Sequence, residues 1–294
     1  MTPIRVAVPR KGRPLEAVLE RLAGESWQPT ADRIISTLRY EKAVTKGDQE
    51  PDSDIYARLA EYSDLDDPTD PEYTLLRDER GGMPRRVVFD SVTVPGEVDV
   101  QLVGREEPFR ALRKHEFALG FDSADLVLEE VVQLREEPLT GLAEVNDRID
   151  PLDTDVRLRA GLEDTVHHTL LATPDVAEGD LDRAFVRGYE GNLCISPRYE
   201  RLVEAVLGSA ALEGVDFVYP EPGIEEEASI AETGLGIYLT VTGSTAREHR
   251  LVLGEQLFPS ETVLLENQAE MSERAERAAG LFEARATAAP TAPE

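Results

Sequence analysis

The quartet Thr242-Gly243-Ser244-Thr245 follows the run Leu239-Thr240-Val241 and places three hydroxyls and a glycine where a strand would end. Hydroxyls and backbone N–H groups at a strand-to-helix junction can cradle a phosphate. The same four residues also suit an ordinary turn capped by Ser or Thr. A second group, Arg10-Lys11-Gly12-Arg13, sets three cations around a glycine just after the run Ile4–Val8. Open α/β sheets bind ligands beyond the carboxyl ends of their strands. Lys11, Gly12 and Arg13 are therefore candidates for binding a ligand, against the plainer role of a solvated basic loop. Asp122 and Asp125, after the run Ala118–Phe121, suit a metal ion, a ribose or the capping of a helix.

Other reactive side chains offer less. His167 and His168 are neighbours, so on a strand they point to opposite faces and cannot both line one site. Cys194 sits in an apolar run, where a small buried thiol is the default. Cys and His residues nowhere take the spacing of metal ligands. The acidic run Glu225-Glu226-Glu227 reads as a solvated helix face. The chain carries no GxGxxG, Walker-type loop or GxSxG, so a Rossmann dinucleotide site, an NTPase and an α/β-hydrolase all lack their signatures.

Composition narrows the partners further. Thirty-one cationic residues against 59 anionic ones leave a net charge of −28, which repels a nucleic-acid backbone. With 41% hydrophobic residues and no apolar run long enough for a membrane helix, a soluble folded protein is expected, with neither a nucleic-acid nor a membrane partner. Only Lys11, Lys42, Lys46 and Lys114 are lysines; the other cations are arginines. That pattern suits a salt-adapted cytosol, where a Debye length of ~3 Å at molar salt screens the self-repulsion. A single cysteine excludes an internal disulfide, and the opening lacks a signal-peptide core, so the expected compartment is cytoplasmic.

The elements that must position these residues follow from periodicity. Ile4–Val8 reads as a buried strand and 15–24 as a helix; 45–72, rich in Asp and Pro, reads as an acidic surface excursion with one helical turn near Ile55–Tyr62. Two strand-like runs flank Gly81-Gly82 as a hairpin, and 98–104 is a further strand. A short helix near Pro108, a strand over 118–121 and a helix from Ser123 give the alternation of a doubly wound α/β fold. After a polar stretch over 134–164, the strand 166–174 opens a second series: strand 192–197, helix from Tyr199, strand 215–220, helix 224–232, strand 235–241 and the Thr-Gly-Ser-Thr loop. The strand 261–267 and a helix to Arg285 complete the pattern. The expected division is a first lobe over 1–165 with an acidic insertion at 43–93, a second lobe over 166–255, a return strand and helix over 256–286 packing on the first lobe, and a disordered tail over 287–294.

Four blocks, in order, resemble ATP phosphoribosyltransferase, the first enzyme of histidine biosynthesis. IRVAVPRKGRPLE is similar to that family's first strand and Lys-Gly-Arg loop, and LVGREEPFRALRKHEFALGFDSADLVLEE to its short helix and following turn. LCISPRYERLVEAVL resembles the opening of its second lobe, and VTGSTAREHRLVLGEQLFPSETVLLEN its phosphoribosyl-pyrophosphate loop and return strand. The resemblance implies a two-lobed α/β fold of the periplasmic-binding-protein type II class. It also implies a cleft for phosphoribosyl pyrophosphate, Mg²⁺ and ATP, with transfer to adenine N1. By position, Thr242, Gly243, Ser244 and Thr245 would hold the 5′-phosphate. Lys11, Gly12, Arg13 and Arg105 would face nucleotide or pyrophosphate, and Asp122, Asp125, Glu225 and Tyr238 would lie in the cleft. No direct protein ligand set for the metal is evident.

Two departures stand out: Gly234 and Tyr238 occupy positions where the family has acids on the ribose hydroxyls. The chain resembles a divergent paralogue from a salt-adapted organism. Two functions are expected from it: a phosphoribosyltransferase-like protein binding a sugar phosphate and a nucleotide, or a non-catalytic ligand-binding or regulatory protein on the same scaffold. Its partners would be small molecules, with assembly into a homo-oligomer.

Overall fold

The computed structural model describes residues 2–24, 27–77, 85–177, 179–221 and 223–286. They form two compact units: residues up to Asp122 with Asp155–Glu163 and the chain from Thr262 onward, and Ser123–Thr154 with Asp164–Glu261.

The first unit is built on a seven-stranded sheet of order β2-β3-β4-β1-β5-β12-β6. Its centre is β1 (Ile4–Pro9), whose Val6, Ala7 and Val8 are fully buried. A strand covered on both faces reads as a continuous apolar run, and this one does. Parallel pairing joins it to β4 (Val100–Arg105) and β5 (Leu119–Ser123). Helix α1 (Arg13–Leu22) starts with a proline in its first turn and buries Leu15, Val18, Leu19 and Leu22. Helix α2 (Gln28–Lys46) adds Ala31, Ile34 and Ile35 to the same core.

The region expected to be a surface excursion is more ordered than its composition suggests. Helix α2 runs to Lys46, and α3 (Ile55–Glu61) is pinned to it by a buried pair: the Arg58 guanidinium donates to both Glu41 carboxylate oxygens at 2.7 and 3.0 Å. Strands β2 (Glu72–Arg77) and β3 (Arg85–Val94) pair antiparallel, and β3 continues onto β4 with Val87, Val88, Phe89 and Val92 buried. Residues 85–93 belong to the sheet, as the strand-like run there predicts. The Gly81-Gly82 turn and the 287–294 tail lie outside the described residues.

Within the polar stretch 134–164, Val156–Gly161 forms β6, the last strand of the sheet, antiparallel to β12 (Thr262–Asn267). Its arginines hide it from a hydropathy reading. Arg159 donates to Glu266, Glu276 and Glu283 at 2.7–2.9 Å, fastening α10 (Glu273–Ala286) against the sheet edge.

The second unit carries a five-stranded sheet of order β11-β7-β10-β8-β9. Strand β7 (Val166–Ala172) pairs antiparallel with β10 (Leu235–Thr240) and with β11 (Val252–Ser260), while β8 (Gly191–Cys194) lies parallel to β10 and to β9 (Val215–Val218). Helices α5 (Ala124–Glu130), α7 (Glu200–Leu207) and α8 (Glu226–Thr233) bury Val127, Leu128, Leu202, Val203 and Ile230 against this unit's core. Strand β11 was not expected from sequence. Its register is broken twice, near Leu253 and Gln256, which scrambles the period-2 alternation. Ser123–Thr154 belongs to the second unit, whereas the sequence predicts a first lobe over 1–165.

Candidate functional site

Two cavities gather most of the residues singled out from sequence, one in each unit. In the second unit, β10 delivers the chain into Thr242-Gly243, and the five-residue helix α9 (Ser244–Glu248) follows. Gly243 lies in the left-handed region at φ 68°, and a Cβ there would run into the Leu253 side chain, so glycine is required on both counts. The Thr242 hydroxyl accepts from Ser244 N at 3.4 Å and lies 3.1 Å from the Ser244 hydroxyl. Arg247 Nη1 donates to the Thr242 carbonyl at 2.9 Å and closes the loop on itself.

The start of α8 lines the same cavity as the loop. Glu225, Glu226 and Glu227 line a cavity of about 450 Å³ together with Tyr238 and residues 239–245. His249 Nε2 lies 3.2 Å from Glu225, tying the far end of α9 to the residue that precedes α8. Tyr238 is half-buried on β10; burial first, then the charges of Glu226 and Glu227, push its phenol up to about 12. The cavity is thus lined by hydroxyls and backbone N–H groups on the loop and by carboxylates on a second wall at the start of α8. A carboxylate accepts only, so this second wall calls for a ligand with O–H or N–H donors beside its anionic group.

The run of glutamates reads from sequence as a solvated face, with Glu225 alone placed in the cleft by the family resemblance. Glu227 is buried, and all three line the cavity. The signal was the run's place immediately before the helix that packs beside β10, which only the fold reveals. Gly234, by contrast, does not line this cavity: it follows α8 with φ 101°, and a Cβ would press on Val176 at 3.1 Å.

In the first unit, Lys11, Gly12 and Arg13 line a cavity of about 400 Å³ with Glu16, Leu38, Arg39, Lys42, Arg86 and Val87. Lys11 Nζ donates to Glu106 at 3.4 Å, and Arg39 donates to both oxygens of Glu16, at 2.6 and 3.4 Å. Five cations face one carboxylate here, in a chain whose net charge is −28. Arg39, Lys42 and Arg86 were not singled out from sequence. The available hint was that Lys42 is one of only four lysines and follows Arg39 at helical i,i+3 spacing.

The remaining candidates sit elsewhere. Arg105 stacks over the Phe117 ring at 4.9 Å, donates to the Gly104 carbonyl and lines neither cavity. Asp122 is buried and accepts from Phe109 N at 2.9 Å, capping α4 (Pro108–Arg113). Asp125 is buried in a polar cluster where His168 Nε2 lies 3.1 Å away and the Ser260 hydroxyl donates at 2.9 Å. Both aspartates are committed to interior bonds, and neither lines a cavity described above. Cys194 is buried, and its thiol is pushed up by burial. Among the described residues, no group of three His, Cys, Asp or Glu side chains is disposed to hold a metal ion. No helix among them is long and apolar enough to cross a membrane.

Comparison with solved structures finds similarity to "ATP phosphoribosyl transferase (HisG:HisZ) complex from Thermotoga maritima", at 12% identity and TM-score 0.44, covering 96% of this chain and 98% of that one. The regulatory domain of MetR, a LysR-family regulator from N. meningitidis, is similar at 11% identity and TM-score 0.34, covering 63% and 80%. An ancestral amino acid-binding protein, a precursor of cyclohexadienyl dehydratase, is similar at 9% identity and TM-score 0.36, covering 64% and 71%. The fold itself is α/β, built on two sheets. No curated protein matches the chain. The family described as halobacterial ATP phosphoribosyltransferase matches residues 1–292, all but two residues of the 294, and the chain belongs to that family.

Proposed function

We propose that the protein transfers a phosphoribosyl group to ATP, binding phosphoribosyl pyrophosphate at Thr242–Thr245. The observation that carries this reading is the cavity that those residues line together with Glu225, Glu226, Glu227 and Tyr238. A ribose 5-phosphate unit suits both walls at once. Its phosphate meets the hydroxyls and the first N–H groups of α9, which lack partners within their own helix. Its 2′- and 3′-hydroxyls donate to the carboxylates, charge-assisted bonds worth ~1.5–3 kcal/mol each. At the molar salt such a composition implies, a Debye length of ~3 Å weakens the repulsion between those carboxylates and the phosphate.

In the transfer, adenine N1 forms a bond to the ribose C1′ while the C1′–oxygen bond breaks and pyrophosphate leaves with the electron pair. Positive charge develops on the ribose, so the protein's task is to position the two reactants and stabilise departing negative charge. Lys11 and Arg13, in the first unit, carry charge of the sign that phosphate groups require. Mg²⁺ would neutralise phosphate charge when bound with the substrates; among the described residues no group of three His, Cys, Asp or Glu side chains is disposed to cage it.

The reading is tested by pyrophosphate release from ATP and phosphoribosyl pyrophosphate, followed in molar potassium chloride with the intact chain. Turnover that disappears in Ser244→Ala/Thr245→Ala supports it. Binding of phosphoribosyl pyrophosphate without any release would favour the ligand-binding or regulatory role.

A further inference from the structure

The basic cavity of the first unit is larger in charge than its loop. Of its five cations only Lys11 and Arg13 come from the loop after β1; Arg39 and Lys42 come from α2, and Arg86 from β3. We infer that α2 is a polyphosphate-reading element, with Arg39 and Lys42 holding the far end of a chain of three phosphates whose near end lies at Lys11–Arg13. The inference rests on the reading above that this loop faces the nucleotide or pyrophosphate, and it names the residues that read the length of the phosphate chain.

Three observations converge on α2. First, Lys42 and Arg86 line the cavity and make no ion pair with any described residue. Second, Arg39 is held rather than neutralised at random. Glu16 on α1 takes its Nε and Nη2, which leaves Nη1 to a ligand and fixes the plane of the guanidinium. Hydrogen bonding and charge from Glu16 raise the Arg39 pKa further, so it is always a cation. Third, the cavity contains two of the four lysines of a chain that otherwise uses arginine. A compact ammonium acts on phosphate as a point charge, while arginine adds a planar fork.

Salt explains why so many cations are needed. With a Debye length of ~3 Å at molar ionic strength, charges beyond direct contact contribute almost nothing. A site for an extended anion must then supply a contact cation for each phosphate, and the loop alone supplies two. Helix α2 provides the rest at i,i+3 spacing on one face.

The experiment titrates the intact protein by calorimetry in molar potassium chloride with inorganic orthophosphate, pyrophosphate and tripolyphosphate. Tripolyphosphate is expected to bind about tenfold or more tighter than pyrophosphate, the scale of one charge-assisted contact. R39Q/K42Q should erase that gap while leaving pyrophosphate binding near native, and K42Q alone, at an exposed position that cannot unfold the chain, should narrow it. K46Q, one turn further on the same helix and outside the cavity, should change nothing. Equal binding of the two anions by the native protein overturns the inference, as does an undiminished gap in R39Q/K42Q. Its failure is separable from failure of the transfer reading. A length preference that depends on α2 without pyrophosphate release leaves the inference standing and removes the transfer. Release without the preference does the reverse.

Discussion

Gly243 and Tyr238 carry the most specific consequences at the scale of single residues. A Gly243→Ala methyl would have to adopt φ 68° and displace Leu253. The left-handed conformation alone costs ~1–2 kcal/mol, so the unfolding free energy should fall by at least that much and the protection afforded by phosphoribosyl pyrophosphate should vanish. Thermal unfolding with and without the ligand measures both. Tyr238 reports on the second wall. Its phenol is pushed up to about 12, by burial first and by Glu226 and Glu227 second. In Glu226→Gln an ultraviolet titration should therefore find it lowered, yet still above the ordinary tyrosine value of ~10 because burial remains. Burial likewise raises Tyr73 to about 12. Both tyrosines titrate later in the folded chain than in the unfolded one. The stability they contribute is complete below pH ~10 and is lost as pH rises through about 12. An alkaline limb of unfolding in that window, shifted in Tyr73→Phe, is the expected result.

Among the elements, α2 bears the heaviest load, because it contributes to the core with one face and to the basic cavity with another. Its position depends on Glu41, which is fully buried, accepts two bonds from Arg58 and a third from the Tyr62 hydroxyl at 2.8 Å. Glu41→Ala leaves a buried guanidinium without its acid. The cost of breaking such a pair is ~3–5 kcal/mol, and hydrogen exchange should speed first in α3. Replacing both partners, with Glu41→Leu/Arg58→Leu, should cost much less, since no orphan charge remains. Equal losses from the single and double variants would show that packing, rather than the charge, holds α3 in place.

The whole molecule answers to its charge. A net −28 on 294 residues is tolerable only when screened, and the Debye length grows from ~3 Å at molar salt to ~10 Å at tenth-molar. The melting temperature should therefore fall steadily as potassium chloride is diluted across that range, and circular dichroism through a salt titration reads it. A melting temperature independent of salt would mean that local ion pairs such as Arg159 with Glu266, Glu276 and Glu283 already balance the surface.

Order along the chain was enough to find the buried strands β1, β7 and β10, because short runs rich in apolar and β-branched residues and bounded by turn signals admit few alternatives. It was enough also for the Thr-Gly-Ser-Thr and Lys-Gly-Arg loops, because each is contiguous and chemically marked. Tertiary structure alone decided the rest. Strands β6 and β11 were illegible because arginines paired with distant glutamates and a broken register erase the alternation that marks a strand. Asp122 and Asp125 became interior hydrogen-bond acceptors once β5 and α5 were packed. Glu226, Glu227, Arg39, Lys42 and Arg86 entered cavities only through the packing of α8 beside β10 and of α2 against β3. A local pattern names the residue types and the period of an element. Which charged face meets a loop far away in sequence is set by packing, and no local spacing encodes it.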